Sequence, residues 1–109
     1  MDNLRPKSVE TPEEMREALK LRREIFVDEQ GIPSELDEDG CDGDATLVLI
    51  YDGNVPVATG RFSMGADGEA ALARIAVGPR YRGHGIGGLV VSELEKLAIL
   101  EGARRFVLL

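Results

Sequence analysis

The chemistry of this chain is concentrated between residues 74 and 88, in the run Arg74-Ile75-Ala76-Val77-Gly78-Pro79-Arg80-Tyr81-Arg82-Gly83-His84-Gly85-Ile86-Gly87-Gly88. Arg74, Arg80, Arg82 and His84 supply cationic or proton-carrying groups around a cluster of glycines. From Ala70 to Ser92 there is no Asp or Glu, although the whole chain has a formal net charge of −7. Glycine lets a ligand approach bare backbone. A helix that starts there adds N–H groups without internal partners and the positive end of its dipole. Together these features hold an anion, most often a phosphate. The competing reading is a helix start that needs glycine only for close packing, with its arginines solvated.

The kind of phosphate is narrowed by what is missing. No Gly-Lys-Ser/Thr occurs, which argues against a nucleoside-triphosphate loop. Gly83-His84-Gly85-Ile86-Gly87-Gly88 matches G-x-G-x-x-G literally, so a dinucleotide site is an alternative. In that arrangement the glycines follow their strand almost at once. Here Gly78 to Arg82 intervene, and the acidic ribose-binding residue would fall beyond Leu109.

The elements that must position this run follow from pattern. Leu72 to Val77 reads as a buried strand stopped by Gly78-Pro79. Ile86, Leu89, Val90, Leu94, Leu97 and Ala98 lie on one face at a 3.6 period, predicting a helix from about Gly83 to a stop at Gly102. Upstream, Leu4 to Val9 reads as a short first strand. Thr11, Pro12 and Glu14 form a capping-box start. Met15, Ala18, Leu19, Ile25 and Phe26 give an apolar helical face over Pro12 to Glu29. Thr46 to Tyr51 and Val55 to Ser63 read as strands joined by the tight turn Asp52-Gly53-Asn54. Gly65 to Gly68 turns again into the strand ending at Val77. Arg105 to Leu109 is a last strand, reached by a helical crossover and so parallel to the one before it. The expectation is one domain over residues 1–109, an α/β (α+β) fold with a mixed sheet and flanking helices.

Composition excludes several function classes. At 109 residues, 43% hydrophobic and 30% charged, the chain is an ordinary globular domain. Its acidity argues against nucleic acid or an anionic membrane surface as partner. No apolar leader or membrane-length run is present. A single cysteine, Cys41, excludes an internal disulfide and fits a reducing, cytoplasmic setting. From Glu24 to Asp44 there are nine acidic side chains and no basic one. They read as a solvated loop, or as an entrance that attracts a cationic amine. A calcium loop opening at Asp37 fails in register, since Val48 would stand where the closing glutamate belongs. No metal site is expected.

Arg80-Tyr81-Arg82-Gly83-His84-Gly85 fits the R/Q-x-x-G-x-G/A pattern, and at these residues the sequence resembles the GNAT superfamily of N-acetyltransferases. Arg74 to Pro79 looks like its fourth strand and Ile86 to Gly102 like its third helix. Arg22 to Asp44, with Ile25-Phe26-Val27-Asp28-Glu29-Gln30-Gly31-Ile32-Pro33, is similar to the acceptor-side region of small bacterial members.

The resemblance implies an acyl-CoA N-acyltransferase fold, truncated after the fifth strand, and acetyl-CoA as cosubstrate. Its diphosphate would lie on the backbone N–H groups of Arg82 to Gly87, including Gly83, His84, Gly85 and Ile86, with Arg80 beside them. Its pantetheine would run along Ile75, Ala76 and Val77. The reaction implied is attack of a primary amine, of a small molecule or peptide, on the thioester, with the oxyanion met by strand N–H groups near Val77. Glu69 and Glu29 are the nominated catalytic bases. Many members carry a glutamate six residues before the Val77 position, where this chain has Ala71. Members usually continue with a further helix and strands, so either the chain is a fragment or a homodimer or other oligomer is expected to cover the apolar last strand. The alternatives are a non-catalytic coenzyme-A-binding or interaction module and, less favoured, an acyl-homoserine-lactone-type synthase.

Overall fold

The computed structural model describes residues 3–34 and 44–109. Cys41 and the Asp37–Asp42 run weighed as a calcium loop lie outside the described residues. The elements are β1 (Leu4–Ser8), α1 (Pro12–Arg22), a π-helical turn (Arg23–Glu29), β2 (Thr46–Asp52), β3 (Val55–Met64), β4 (Glu69–Val77), a 3-10 turn (Pro79–Tyr81), α2 (Ile86–Leu100) and β5 (Arg105–Leu108). The five strands form one sheet in sequence order. All neighbours are antiparallel except β4 and β5, which run parallel as the helical crossover requires. Among the described residues, no helix is long and apolar enough to cross a membrane.

The alternation of β2 builds a core on each face of the sheet. Val48 and Ile50 join Phe62, Leu72, Ile86, Val90, Leu94 and Ala98 in the larger core beneath α2. Leu47, Leu49 and Tyr51 turn the other way and pack against Ala18 of α1. The sheet is therefore a filling between two helical layers, the mixed arrangement expected from the pattern.

The start of α1 follows the capping rule. Thr11 Oγ1 accepts from the Glu14 amide at 3.1 Å, and Glu14 Oε1 accepts in return from the Thr11 amide at 3.1 Å. Lys7 of β1 lies 2.7 Å from Glu14 Oε2. That ammonium, aided by the Glu10 and Thr11 amides, holds the Glu14 carboxyl down to about 2. Because the folded value is depressed, the stabilisation is present above the ordinary carboxylate value of 4.5 and is lost as pH falls toward 2. Acid titration followed by circular dichroism should show helix loss in that window, and Glu14→Gln should flatten the response.

The helix expected as one piece from Pro12 to Glu29 changes type at Arg23. The wider π-turn, closed by the Gln30 amide donating to the Ile25 carbonyl at 3.1 Å, lets the adjacent Ile25 and Phe26 both pack beside Leu21 and Ala76. An α-turn would set neighbouring side chains about 100° apart, so packing against the sheet overrides uniform helix here.

β4 carries the feature that shapes the site. Thr59 pairs with Ala76 and Arg61 with Ala73, so Gly60 alone faces the two residues Arg74 and Ile75. This is a β-bulge, and Arg74 takes the left-handed φ of 57° within it. The extra residue inverts the alternation. Ala70 and Leu72 face α2 before the bulge; Ile75 and Val77 face it afterwards. Gly60 is required opposite, since a Cβ there would stand 2.6 Å from Val90 Cγ1 and 3.1 Å from Leu94 Cδ1. Gly60→Ala should lower stability by about 1–3 kcal/mol, the scale for overpacking, as a shift in urea midpoint at unchanged slope.

Candidate active site

Beyond Leu72, β4 pairs with β5 no further among the described residues, while β3 still pairs with it at Ala76 and Val77. β4 and β5 pair from Glu69↔Arg105 to Leu72↔Leu108, and the Leu109 amide closes on the Leu72 carbonyl at 2.8 Å. A groove of about 620 Å³ opens there. Arg74 and Ile75 line it from β4, Leu108 and Leu109 from the β5 side, Gly87, Gly88 and Val91 from α2. Phe26 and Ile32 close it from the first helical segment. Its wall is largely apolar, and it runs up to the first turn of α2.

The loop above the groove is built by backbone geometry. Gly78-Pro79 ends β4, and the Tyr81 amide donates to the Gly78 carbonyl at 2.9 Å. Gly83 and Gly85 then take φ of 81° and 77°, so α2 begins at Ile86 rather than at Gly83. A Cβ at either glycine would meet nothing within 4 Å. The glycines are therefore present for conformation and an open approach, not for close packing.

No side chain caps α2. Among the described residues, no oxygen accepts from the amides of Gly85, Ile86, Gly87 or Gly88, the groups a helix start leaves without internal partners. Arg80 and His84 are exposed around them. Among the described residues Arg80 has no ion-pair partner. This loop offers an anion both amides and a guanidinium.

Two side chains stake the loop down. Tyr81 Oη donates to Asp52 Oδ2 at 3.1 Å, and that bond pushes the phenol above its ordinary value. Arg82 donates through Nη1 and Nη2 to both oxygens of Glu29, each at 2.7 Å, and through Nε to the Val77 carbonyl at 3.0 Å. The guanidinium expected to grip phosphate is thus engaged by protein.

The nominated residues fall unequally. Ile75 lines the groove and Gly87 joins it to the loop, with Val77 against Gly87. Ala76 and Ile86 are buried in the two cores, so only their main chain is available to a ligand. Glu29 sits at the loop, but Arg82 holds its carboxyl below the usual carboxylate range, which suits a fixed anion better than a proton acceptor. Glu69 is not brought to the groove. It opens β4, eight residues before Val77, or about 26 Å at the ~3.3 Å rise of a strand, and lies 3.7 Å from Arg105. Phe26, Ile32, Gly88, Val91, Leu108 and Leu109 line the groove without having been nominated. Among the described residues, no cluster suits a metal.

Comparison with known proteins gives this geometry its family. Residues 13–109 match the family model described as acetyltransferase (GNAT) family. The chain belongs to the GNAT acetyltransferase family. It is 38% identical over 96 residues to the uncharacterized N-acetyltransferase YjcF of Bacillus subtilis, covering 88% of this chain and 68% of that protein.

The GNAT fold is equally plain in solved structures. Escherichia coli ElaA superposes with a TM-score of 0.84 at 23% identity, over 96% of this chain and 76% of ElaA. A GNAT family acetyltransferase from Brucella melitensis, solved in complex with acetyl-CoA, gives 0.82 at 21% identity, over 97% of this chain and 75% of that one. This GNAT chain is accordingly an acetyl-CoA-dependent acetyltransferase, with acetyl-CoA the cosubstrate of its family.

Proposed function

We propose that the chain transfers the acetyl group of acetyl-CoA to a primary amine of a small molecule or peptide, and that it does so in the cytoplasm. The observation that carries the reading is the set of amides from Gly85 to Gly88, unmet among the described residues, opening onto an apolar groove beside Ile75 of β4. The diphosphate would lie on those amides with Arg80 alongside. The pantetheine would run down the groove past Ile75 and Val77, and the thioester would then lie beside Phe26 and Ile32. That a structural neighbour from Brucella melitensis was solved in complex with acetyl-CoA supports acetyl-CoA as the ligand.

In the reaction the amine nitrogen forms a bond to the acetyl carbon while the carbon–sulfur bond breaks. The amine gives up a proton, and the departing thiolate gains one. The acidic side chains Glu24 and Asp28, exposed on the π-turn, favour a cationic acceptor by raising its local concentration. Thiol release from acetyl-CoA with a panel of small primary amines tests the reading. Amine-dependent release with saturation supports it. Saturable binding without release for any amine would leave a coenzyme-A-binding module instead.

A further inference from the structure

The Glu29–Arg82 pair joins two parts of the molecule that do not otherwise share a strand or helix. Glu29 ends the π-turn, and the residues around it form a closed unit. The Gln30 amide donates to the Ile25 carbonyl at 3.1 Å, Gly31 to Val27 at 3.0 Å and Ile32 to Phe26 at 2.8 Å. This unit carries Phe26 and Ile32, one whole wall of the groove. Among the described residues its apolar anchor is Leu21, Ile25 and Phe26 around Ala76. Its polar anchor is Glu29, held in a two-pronged grip by Arg82. Arg82 itself is fixed to the end of β4 through the Val77 carbonyl and stands immediately before Gly83.

Both partners are about two-fifths exposed. An exposed pair contributes little to stability. What its forked geometry does supply is orientation, since two parallel hydrogen bonds fix an angle as well as a distance. A third bond from the same guanidinium to Val77 ties that angle to the strand beside which the thioester would lie.

We propose that Glu29 is a positioning residue: through Arg82 it latches the Phe26–Ile32 wall to the coenzyme loop, so that filling the loop stiffens the acceptor side of the groove. The inference rests on the reading of the Gly85–Gly88 amides as the diphosphate site. It assigns Glu29 no proton transfer and Arg82 no phosphate contact. Binding that orders one end of a rigid link lowers the cost of ordering the other, so the two substrates would cooperate through the pair.

The test is amide hydrogen exchange with 3′-phospho-ADP, the nucleotide part of coenzyme A, which lacks the arm that would touch Phe26 or Ile32. In the unaltered protein, saturating nucleotide should slow exchange at residues 85–88 and also slow it, by roughly fivefold, at Gln30, Gly31 and Ile32. In Glu29→Gln and Arg82→Gln the loop should still respond while the distant three amides no longer do. The double variant should match either single one, because both remove the same link. Slowing at 85–88 without any at 30–32 in the unaltered protein overturns the latch and spares the site. Persistent slowing at 30–32 in Glu29→Gln overturns it too. No slowing at 85–88 overturns the site reading and the latch with it. In acetyl-transfer assays Glu29→Gln should raise the KM for the amine several-fold and change kcat by less than about threefold. A base would instead show its loss in kcat, typically by about 10²–10⁴.

Discussion

Gly85→Val is expected to lower acetyl-CoA affinity by at least about a hundredfold, read by titration calorimetry. Gly85 sits at φ 77° immediately before α2. A side chain held at a left-handed φ costs about 1–2 kcal/mol, and more for a β-branched one. To escape that strain the loop must turn, and turning swings the amides of Gly85 to Gly88 away from a common focus. Hydrogen bonds to a charged group contribute about 1.5–3 kcal/mol each. Losing two of them exceeds the ~2.8 kcal/mol that a hundredfold change represents. The fold should survive, since a Cβ at this position meets no atom within 4 Å. Gly85→Ala, with less strain and no branched side chain, should fall between the two.

Leu94→Ala is expected to be the most damaging substitution to stability, by about 2–5 kcal/mol in chemical denaturation. Leu94 is fully buried at the centre of α2. It reaches the narrow place where the helix lies over Gly60, opposite the Arg74 bulge. Truncation leaves a cavity in the close-packed core that Leu94 shares with Val90 and Phe62, both buried. A small domain has about 5–15 kcal/mol to lose, so the melting temperature should drop by on the order of ten degrees or more. Acetyl-CoA at a hundred times its Kd should return about 2.7 kcal/mol of that loss by mass action. This recovery separates Leu94→Ala, which weakens the fold beneath a working site, from Gly85→Val, which at the same ligand concentration should gain no more than about 0.4 kcal/mol.

The parts of the molecule that were legible in the sequence are those governed by neighbours along the chain. Thr11 and Glu14 announce α1 because a capping box needs only residues three apart. Ile86 to Ala98 announce α2 because one apolar stripe has a single periodic solution. Gly83 and Gly85 announce the loop because glycine most readily takes the φ found there. The bulge was not legible, since nothing marks Arg74 as left-handed; an arginine reaches that region only when sheet pairing and the packing of Gly60 against α2 impose it. Glu29 and Arg82 were each singled out, but for separate tasks. They lie 53 residues apart, and only the fold places them together. Glu69 was named for its place on the key strand, without the strand direction that carries it to the far end. Phe26 and Ile32 are legible only as part of the acceptor-side run, because the π-turn that lets Ile25 and Phe26 pack side by side leaves no mark on a pattern read for α-spacing.

What most directly tests the central claim is a titration of ¹⁵N-labelled protein with acetyl-CoA, followed at the amides of Gly85, Ile86, Gly87 and Gly88. Those resonances should move together and saturate on one binding curve, with larger shifts than those at Glu69 or Arg105 on the far end of the sheet. Saturable binding that leaves the four amides unmoved, or that moves the Glu69 end instead, would contradict the account.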